Sequence, residues 1–334
     1  MRYTISLTVA SALWAGTAAA EVPRVVTDLP PVHALVSMVM GDLGQPGLLL
    51  DRGANAHSFQ MRPSQAQALS EADLIVWIGP EMTPWLDRTL RGMETTAAQV
   101  HLLDARGTYL QDFRAGGSAG GHDHAKHDHD HAAEASAATE GHDHAEGEGH
   151  DHAEGEAHAH AGTDPHAWLD PANGALWLDT IAVALSGLDP ANATVYTANA
   201  AAAQAQIAAT DAEVAAILAP VKDKPFVVFH DAYGYFAGHY GLNVAGSVAL
   251  GDASSPGAAR LADLRAGMQA GSALCIFPEA RHDPALVAQM AEGTRVRVGG
   301  TLDPEGAMLE PGPGLYPLML RGLASTLADC LAAD

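Results

Sequence analysis

The chain has 334 residues, 48% of them hydrophobic, with 40 acidic side chains against 17 basic ones and a net charge of −23. That length suggests two lobes with cores of their own rather than one ordinary domain. No basic stripe relieves the acidic balance, which argues against nucleic acid and anionic lipid as partners and favours cations.

Residues 1–20, MRYTISLTVASALWAGTAAA, hold one basic residue, an apolar run and the ending Ala18-x-Ala20. The run is too short to span a bilayer. The pattern predicts a secretory signal cleaved after Ala20, and so an exported protein. Export suits the two cysteines, Cys275 and Cys330, as one disulfide. There is no CxxC motif to offer thiolates to a metal.

From Val22 onward short apolar runs alternate with helical stretches. PRVVTDL (23–29), GLLLD (47–51), DLIVWIG (73–79) and VHLLDA (100–105) read as strands. PPVHALVSMVMGD (30–42), PSQAQALSEA (63–72) and PWLDRTLRGM (84–93) read as helices between them. Continuous apolar strands separated by helices indicate a parallel sheet covered on both faces. Right-handed crossovers then gather the C-terminal strand ends on one edge. His57, in GANAHSF, follows the second strand at that edge. His33, near a helix start, reads as structural, and His101 as the beginning of a strand.

Segment 116–162 breaks the pattern. It holds 11 of the 18 histidines, 11 acidic residues and one lysine, and it repeats GHDHAEGE at 141–148 and 149–156. Such a composition cannot bury enough surface to offset chain entropy, so a disordered loop is expected. His122 and His124, His129 and His131, His142 and His144, His150 and His152, and His158 and His160 form HxH pairs, with His127 beside them. Residues i and i+2 of an extended chain point the same way, so each pair can chelate weakly. Tethered beside a tighter site, the loop would raise the local concentration of a metal ion. The plainer alternative is a solvated spacer.

Order resumes at TDPHAWLDP, which carries His166 and is followed by a helix that should stop by Asp189, the residue before Pro190. Trp168 and Trp177 read as core anchors. Residues 191–220 contain no glycine and predict one helix of roughly 45 Å. A second block follows, with strands KPFVVFH, LNVAGSVAL, SALCIFPEA and TRVRVGG and a last helix through LYPLMLRGLASTLADCLAA. The organisation expected is a signal at 1–20, an N-terminal α/β lobe at 21–189, a linking helix at 190–220 and a C-terminal α/β lobe at 221–334. His230 ends the most apolar strand of the second lobe, and Asp303, in GGTLDPEG, follows the last one. His239 reads as packed or solvated, and His282 is a weaker candidate.

Taken singly, His57, His166 and His230 each read as a hydrogen-bonded strand-end residue. Together they occupy the same topological place, facing the crevice where open α/β sheets bind ligands. Three imidazoles and a carboxylate suit tetrahedral Zn²⁺ better than the harder Mn²⁺. Asp303 reads equally well as a turn-former ahead of Pro304. Nucleophile-elbow, P-loop and HExxH motifs are absent, and GGSAGG at 116–121 lacks the strand and helix of a dinucleotide site.

GANAHSF, the acidic His-rich insert, DPHAWLDP, FHDAYGYF, LDPEG and the late cysteine pair, taken as a set, resemble the metal-binding periplasmic substrate-binding proteins of ABC importers. The closest likeness is to the high-affinity zinc-uptake type (cluster A-I, or cluster 9). The resemblance implies two α/β lobes, each with a parallel sheet flanked by helices, joined by one long rigid helix. It implies zinc ligands at His57, His166 and His230. Asp303 matches a fourth ligand of some members, where others use a water or an acidic neighbour of the first histidine. Here that neighbour is Ala56, so Asp303 or water must complete the shell. Manganese members place a Glu where His230 stands, which favours zinc as cargo, and the cysteine pair matches a disulfide of zinc members. The resemblance further implies a monomer in the periplasm that serves an inner-membrane ABC permease and is no enzyme, with a periplasmic zinc chaperone as a second candidate partner. The competing readings are a binding protein for manganese or another divalent ion, a periplasmic zinc buffer or chaperone working through the loop, and a metallohydrolase. The last lacks oxyanion donors and a general base other than Asp303.

Overall fold

The computed structural model describes residues 21–50, 56, 59–93, 95–113, 162–251 and 256–333. The expected signal segment, His57 and the 11 histidines of the insert lie outside the described residues.

The first lobe contains β1 (Val25–Thr27), α1 (Pro30–Met40), β2 (Gly47–Leu48), α2 (Pro63–Ser70), β3 (Leu74–Trp77), α3 (Pro84–Gly92) and β4 (Ala98–His101). Its strands run parallel in the order β2-β1-β3-β4. Pro30 and Pro31 start α1 where a missing N–H is harmless. Gly41, at φ 55°, lets the chain leave that helix. His101 ends β4 instead of beginning a strand. The register pairs Leu74 with Ala98 and Trp77 with His101, and polar Gln99 had masked the strand's first half.

Two helices lie between the sheets in chain order. α4 (Pro171–Leu188) is capped by Asp170, whose side chain accepts from Ala172 N. It stops one residue before Asp189-Pro190, as the proline requires. α5 (Ala193–Leu218) has 26 residues, a length of about 39 Å. It falls short of 45 Å because Pro190–Asn192 forms a separate 3-10 turn. Its buried residues, Tyr196, Ala200, Ala203, Ile207, Thr210, Val214 and Leu218, recur every three or four positions and make one stripe.

The second lobe repeats the plan with β5 (Phe226–His230), α6 (Gly234–Tyr240), β6 (Val244–Ala249), α7 (Ala258–Gln269), β7 (Cys275–Ile276), α8 (Pro284–Ala291) and β8 (Arg297–Val298). The order β6-β5-β7-β8 is again all parallel. β5 alternates strictly. Phe226 and Val228 enter the main core, whereas Val227 and Phe229 enter a second cluster on the other face. α9 (Leu315–Leu331) leaves the second sheet and packs against α5 and α1, so the chain's last helix braces the link between lobes. Trp168 and Trp177 are fully buried, as expected of anchors. Cys275 on β7 and Cys330 on α9 form a disulfide. Among the described residues no helix is long and apolar enough to cross a membrane.

Candidate metal centre

In the second sheet the chain leaves β5 for β6 on one side and returns for β7 on the other. The C-terminal ends of β5 and β7 therefore flank the crevice where such sheets bind ligands. His230 is the last residue of β5, and Glu279 lies three residues past β7. The His230 Nδ1–H donates to the Glu279 carboxylate at 2.7 Å. Tyr233 donates its hydroxyl to the same carboxylate at 3.0 Å.

The first lobe supplies a matching half. His166 precedes the 3-10 turn Ala167–Leu169 that leads into α4. Its backbone N–H and its Nδ1–H both donate to Asp164 Oδ1, at 3.0 and 2.7 Å. An ionised carboxylate only accepts, so each imidazole carries a proton on Nδ1, and the neutral ring then presents its Nε2 lone pair.

Those two Nε2 atoms stand 3.4 Å apart, with ring centroids 5.3 Å apart, and both side chains are at least 98% buried. Lone pairs that close repel unless a cation or a proton lies between them. Two nitrogens bound to one tetrahedral zinc at 2.0–2.1 Å are separated by about 3.3 Å. The pair thus has the spacing and the tautomers of two imidazoles sharing one ion, each oriented by its own carboxylate.

The lobes meet closely around this pair. Tyr235 on α6 donates to Asp164 O at 2.9 Å and accepts from Gln111 N at 3.0 Å. Trp168 donates its indole N–H to Pro304 O at 2.8 Å. Gly234 is needed here, because a Cβ would run into Gln111 Nε2 and come within 3.0 Å of Asp164 Oδ2. Ala replacing Gly234 should therefore displace Asp164, and a fall in metal affinity without loss of secondary structure would be its signature.

Asp303 reaches the same edge, because Leu302 bridges Glu279 and exchanges backbone bonds with Pro278 and Ala280. Its oxygens accept from Ala307 N and Met308 N, each at 2.9 Å. The turn thus uses part of the carboxylate and leaves it further acceptor capacity. His57 lies outside the described residues, although its neighbour Ala56 is buried and accepts from Trp85 Nε1. His282 stacks on Phe229, with centroids 4.2 Å apart, and its Nε2 lies 3.6 Å from Glu279 Oε1. His230, Glu279 and His282 each offer a ligand atom within 4.8 Å of the others. Arg281, at φ 69°, and buried Glu305 form an ion pair at 2.6 Å that ties the two loops of this edge together. His33 is structural: its Nε2 bonds Pro46 O at 3.1 Å, and burial lowers its pKa.

Sequence reasoning missed Asp164 and Glu279. The first stands in TDPH, two residues before a singled-out histidine, and the second follows an apolar strand in CIFPEA. Strand-end position was the signal for His230 and applied equally to Glu279, whereas His166, expected at a strand end, instead precedes the 3-10 turn into α4. Nothing local marks either acid as an orienting partner, since the contacts span 49 residues for Glu279 and a tight turn for Asp164.

The family described as zinc-uptake complex component A, periplasmic, matches residues 25–330. The high-affinity zinc uptake system protein ZnuA of Paracoccus denitrificans is 53% identical over 333 residues, covering 98% of each chain. The protein of that name from Brucella suis is 40% identical over 336 residues, covering 99% of this chain and all of the relative. Among solved structures, a zinc-bound ZnuA deletion mutant superposes with a TM-score of 0.70 at 23% identity, over 93% of this chain and 99% of that one. The periplasmic zinc-binding protein TroA of Treponema pallidum gives 0.72 at 21% identity, with the same coverage. At such identities the structures speak for the fold, two α/β lobes with parallel sheets. The sequence matches, at up to 53% identity over nearly the full length, place the chain in the family of periplasmic components A of zinc-uptake complexes.

Proposed function

We propose that the chain captures Zn²⁺ between its lobes and hands it to an inner-membrane ABC permease, acting as a monomeric periplasmic binding protein without turnover. The observation that carries this reading is the pair of Nε2 atoms 3.4 Å apart, each imidazole held by a carboxylate on its other nitrogen. His166 and His230 would bind the ion with His57, and Asp303 or a water would complete the shell. Residues 21–189 and 221–334 would act as the two lobes, with 190–220 as the rigid link and 1–20 as the export signal. Segment 116–162, with its 11 histidines, would be a weak collector feeding the cleft. His166 supports this placement, coming six residues after His160.

Competition against a chelator tests the assignment. The full chain should hold one zinc tightly and several weakly, and a variant lacking 116–162 should keep the tight one. Loss of nearly all binding with the loop would favour a buffer instead. Ligands must be deprotonated, and an ordinary imidazole titrates near pH 6.5, so affinity should fall as the solution is acidified through that region. Glu279→Gln keeps an acceptor for His230 but removes the charge behind it. It should weaken zinc binding by about 10- to 100-fold, whereas an unchanged affinity would remove Glu279 from the site.

A further inference from the structure

His239 occupies a position that zinc capture by His166 and His230 does not explain. It sits on the last turn of α6, nine residues after His230. Its Nδ1 lies 3.1 Å from Asp170 Oδ1 and its Nε2 lies 2.9 Å from Asp211 Oδ1. Asp170 caps α4, four residues after His166, and Asp211 belongs to α5. One ring thus touches the second lobe, the first lobe and the helix that joins them.

A neutral imidazole has one N–H, so one of these contacts would set a lone pair against a carboxylate. Only the imidazolium donates from both nitrogens. We propose that His239, as an imidazolium between Asp170 and Asp211, is a positioning residue for metal capture: it clasps α6 to the start of α4 and to α5. The clasp keeps His230 at the separation from His166 that a shared ion requires. The Asp170 arm is short, since only the turn Ala167–Leu169 separates His166 from Asp170, and that turn packs directly on α6.

The proton on this ring can respond to the solution. His239 borders a cavity of about 330 Å³ that Asp211, Lys222 and Tyr240 also line. The bond to Asp170, with a smaller contribution from Asp211, raises its pKa above the ordinary imidazole value. The other groups facing the clasp are Tyr240 on α6 and Tyr316 on α9, both phenols held well above their ordinary range by burial. Near neutrality the titrating partner is therefore His239. Because its folded pKa is raised, the clasp is fully present below about pH 6.5 and is lost as pH rises through the folded value. This runs opposite to the ligand histidines, which bind zinc better as pH rises, so the clasp would flatten the acid side of the binding profile.

The inference rests on the zinc reading above, and the wild-type chain in chelator-buffered zinc checks that reading separately: without a tight site there, the reading itself fails. Given a tight site, His239→Gln, which mimics the neutral ring, should weaken it roughly 3- to 10-fold at about pH 6. That ratio should close towards one once the pH has passed the folded value of this imidazole, read from its own titration by NMR, where wild type has lost the same proton. Asp211→Asn removes one arm and should show a smaller deficit with the same pH dependence; it carries the test if the first variant fails to fold. Equal affinities at pH 6, or a deficit that persists undiminished above the measured titration of His239, would overturn the proposal, the latter assigning His239 to packing alone.

Discussion

Replacing His230 by alanine is expected to weaken tight zinc binding by more than about 100-fold, beyond the 10- to 100-fold typical for a group that only supports a ligand. His166→Ala should do the same. Each variant removes one of two ring nitrogens that stand 3.4 Å apart, so the proposed shell loses one of its imidazoles and the ion its bridge between the two lobes. Each also leaves a buried acid, Glu279 or Asp164, without the ring N–H it now accepts. Some loss of stability should follow, because a buried carboxylate deprived of a donor keeps its desolvation penalty. The two effects separate experimentally: chelator competition reads affinity, and a melting curve without metal reads stability. Affinities within a few-fold of wild type for both variants would remove these residues from the site. The same measurement on His57→Ala tests the ligand inferred from the resemblance alone.

Much of the fold was legible because parallel α/β lobes leave a coarse signature. Runs such as LIVW at 74–77 and FVVFH at 226–230 are buried on both faces, so they read as continuous apolar stretches. Where pairing is short the signature overstates the strand: SALCIFPEA yields only Cys275–Ile276. Its later residues turn away after Phe277 N bonds Val227 O, and they pair irregularly with Leu302. His230 was visible because a solitary imidazole at a strand end is unusual, and His166 because it stands alone between prolines just after the insert. Their orienting acids were not, because a carboxylate near a turn is common and its partner is set by packing. His239 shows the same limit. In GYFAGHYG it looks like any residue of a short helix, and only the arrival of α4 and α5 gives it two carboxylates. Tertiary approach, invisible to local pattern, assigns these roles.

Removing the Cys275–Cys330 disulfide should lower stability far more than it lowers zinc affinity. The bridge joins residues 55 apart in sequence, and closing a loop of that length stabilises by about 4 kcal/mol on the chain-entropy account. A Cys275→Ala, Cys330→Ala double variant should therefore melt on the order of 10 °C lower than wild type. Zinc at 100 times its dissociation constant would stabilise both proteins by about 2.7 kcal/mol by binding only the folded chain, so the deficit should persist with metal. The affinity should nevertheless stay within a few-fold. Although Cys275 begins the strand that leads to Glu279, that segment has its own ties: Phe277 N to Val227 O, Leu302 N to Pro278 O and Ala280 N to Leu302 O, each 2.8–2.9 Å. A double variant that melts like wild type would mean that the unfolded chain gains little freedom from losing the bridge. One that folds but loses tight zinc would mean that the bridge, by fixing β7 against α9, positions Glu279 behind His230.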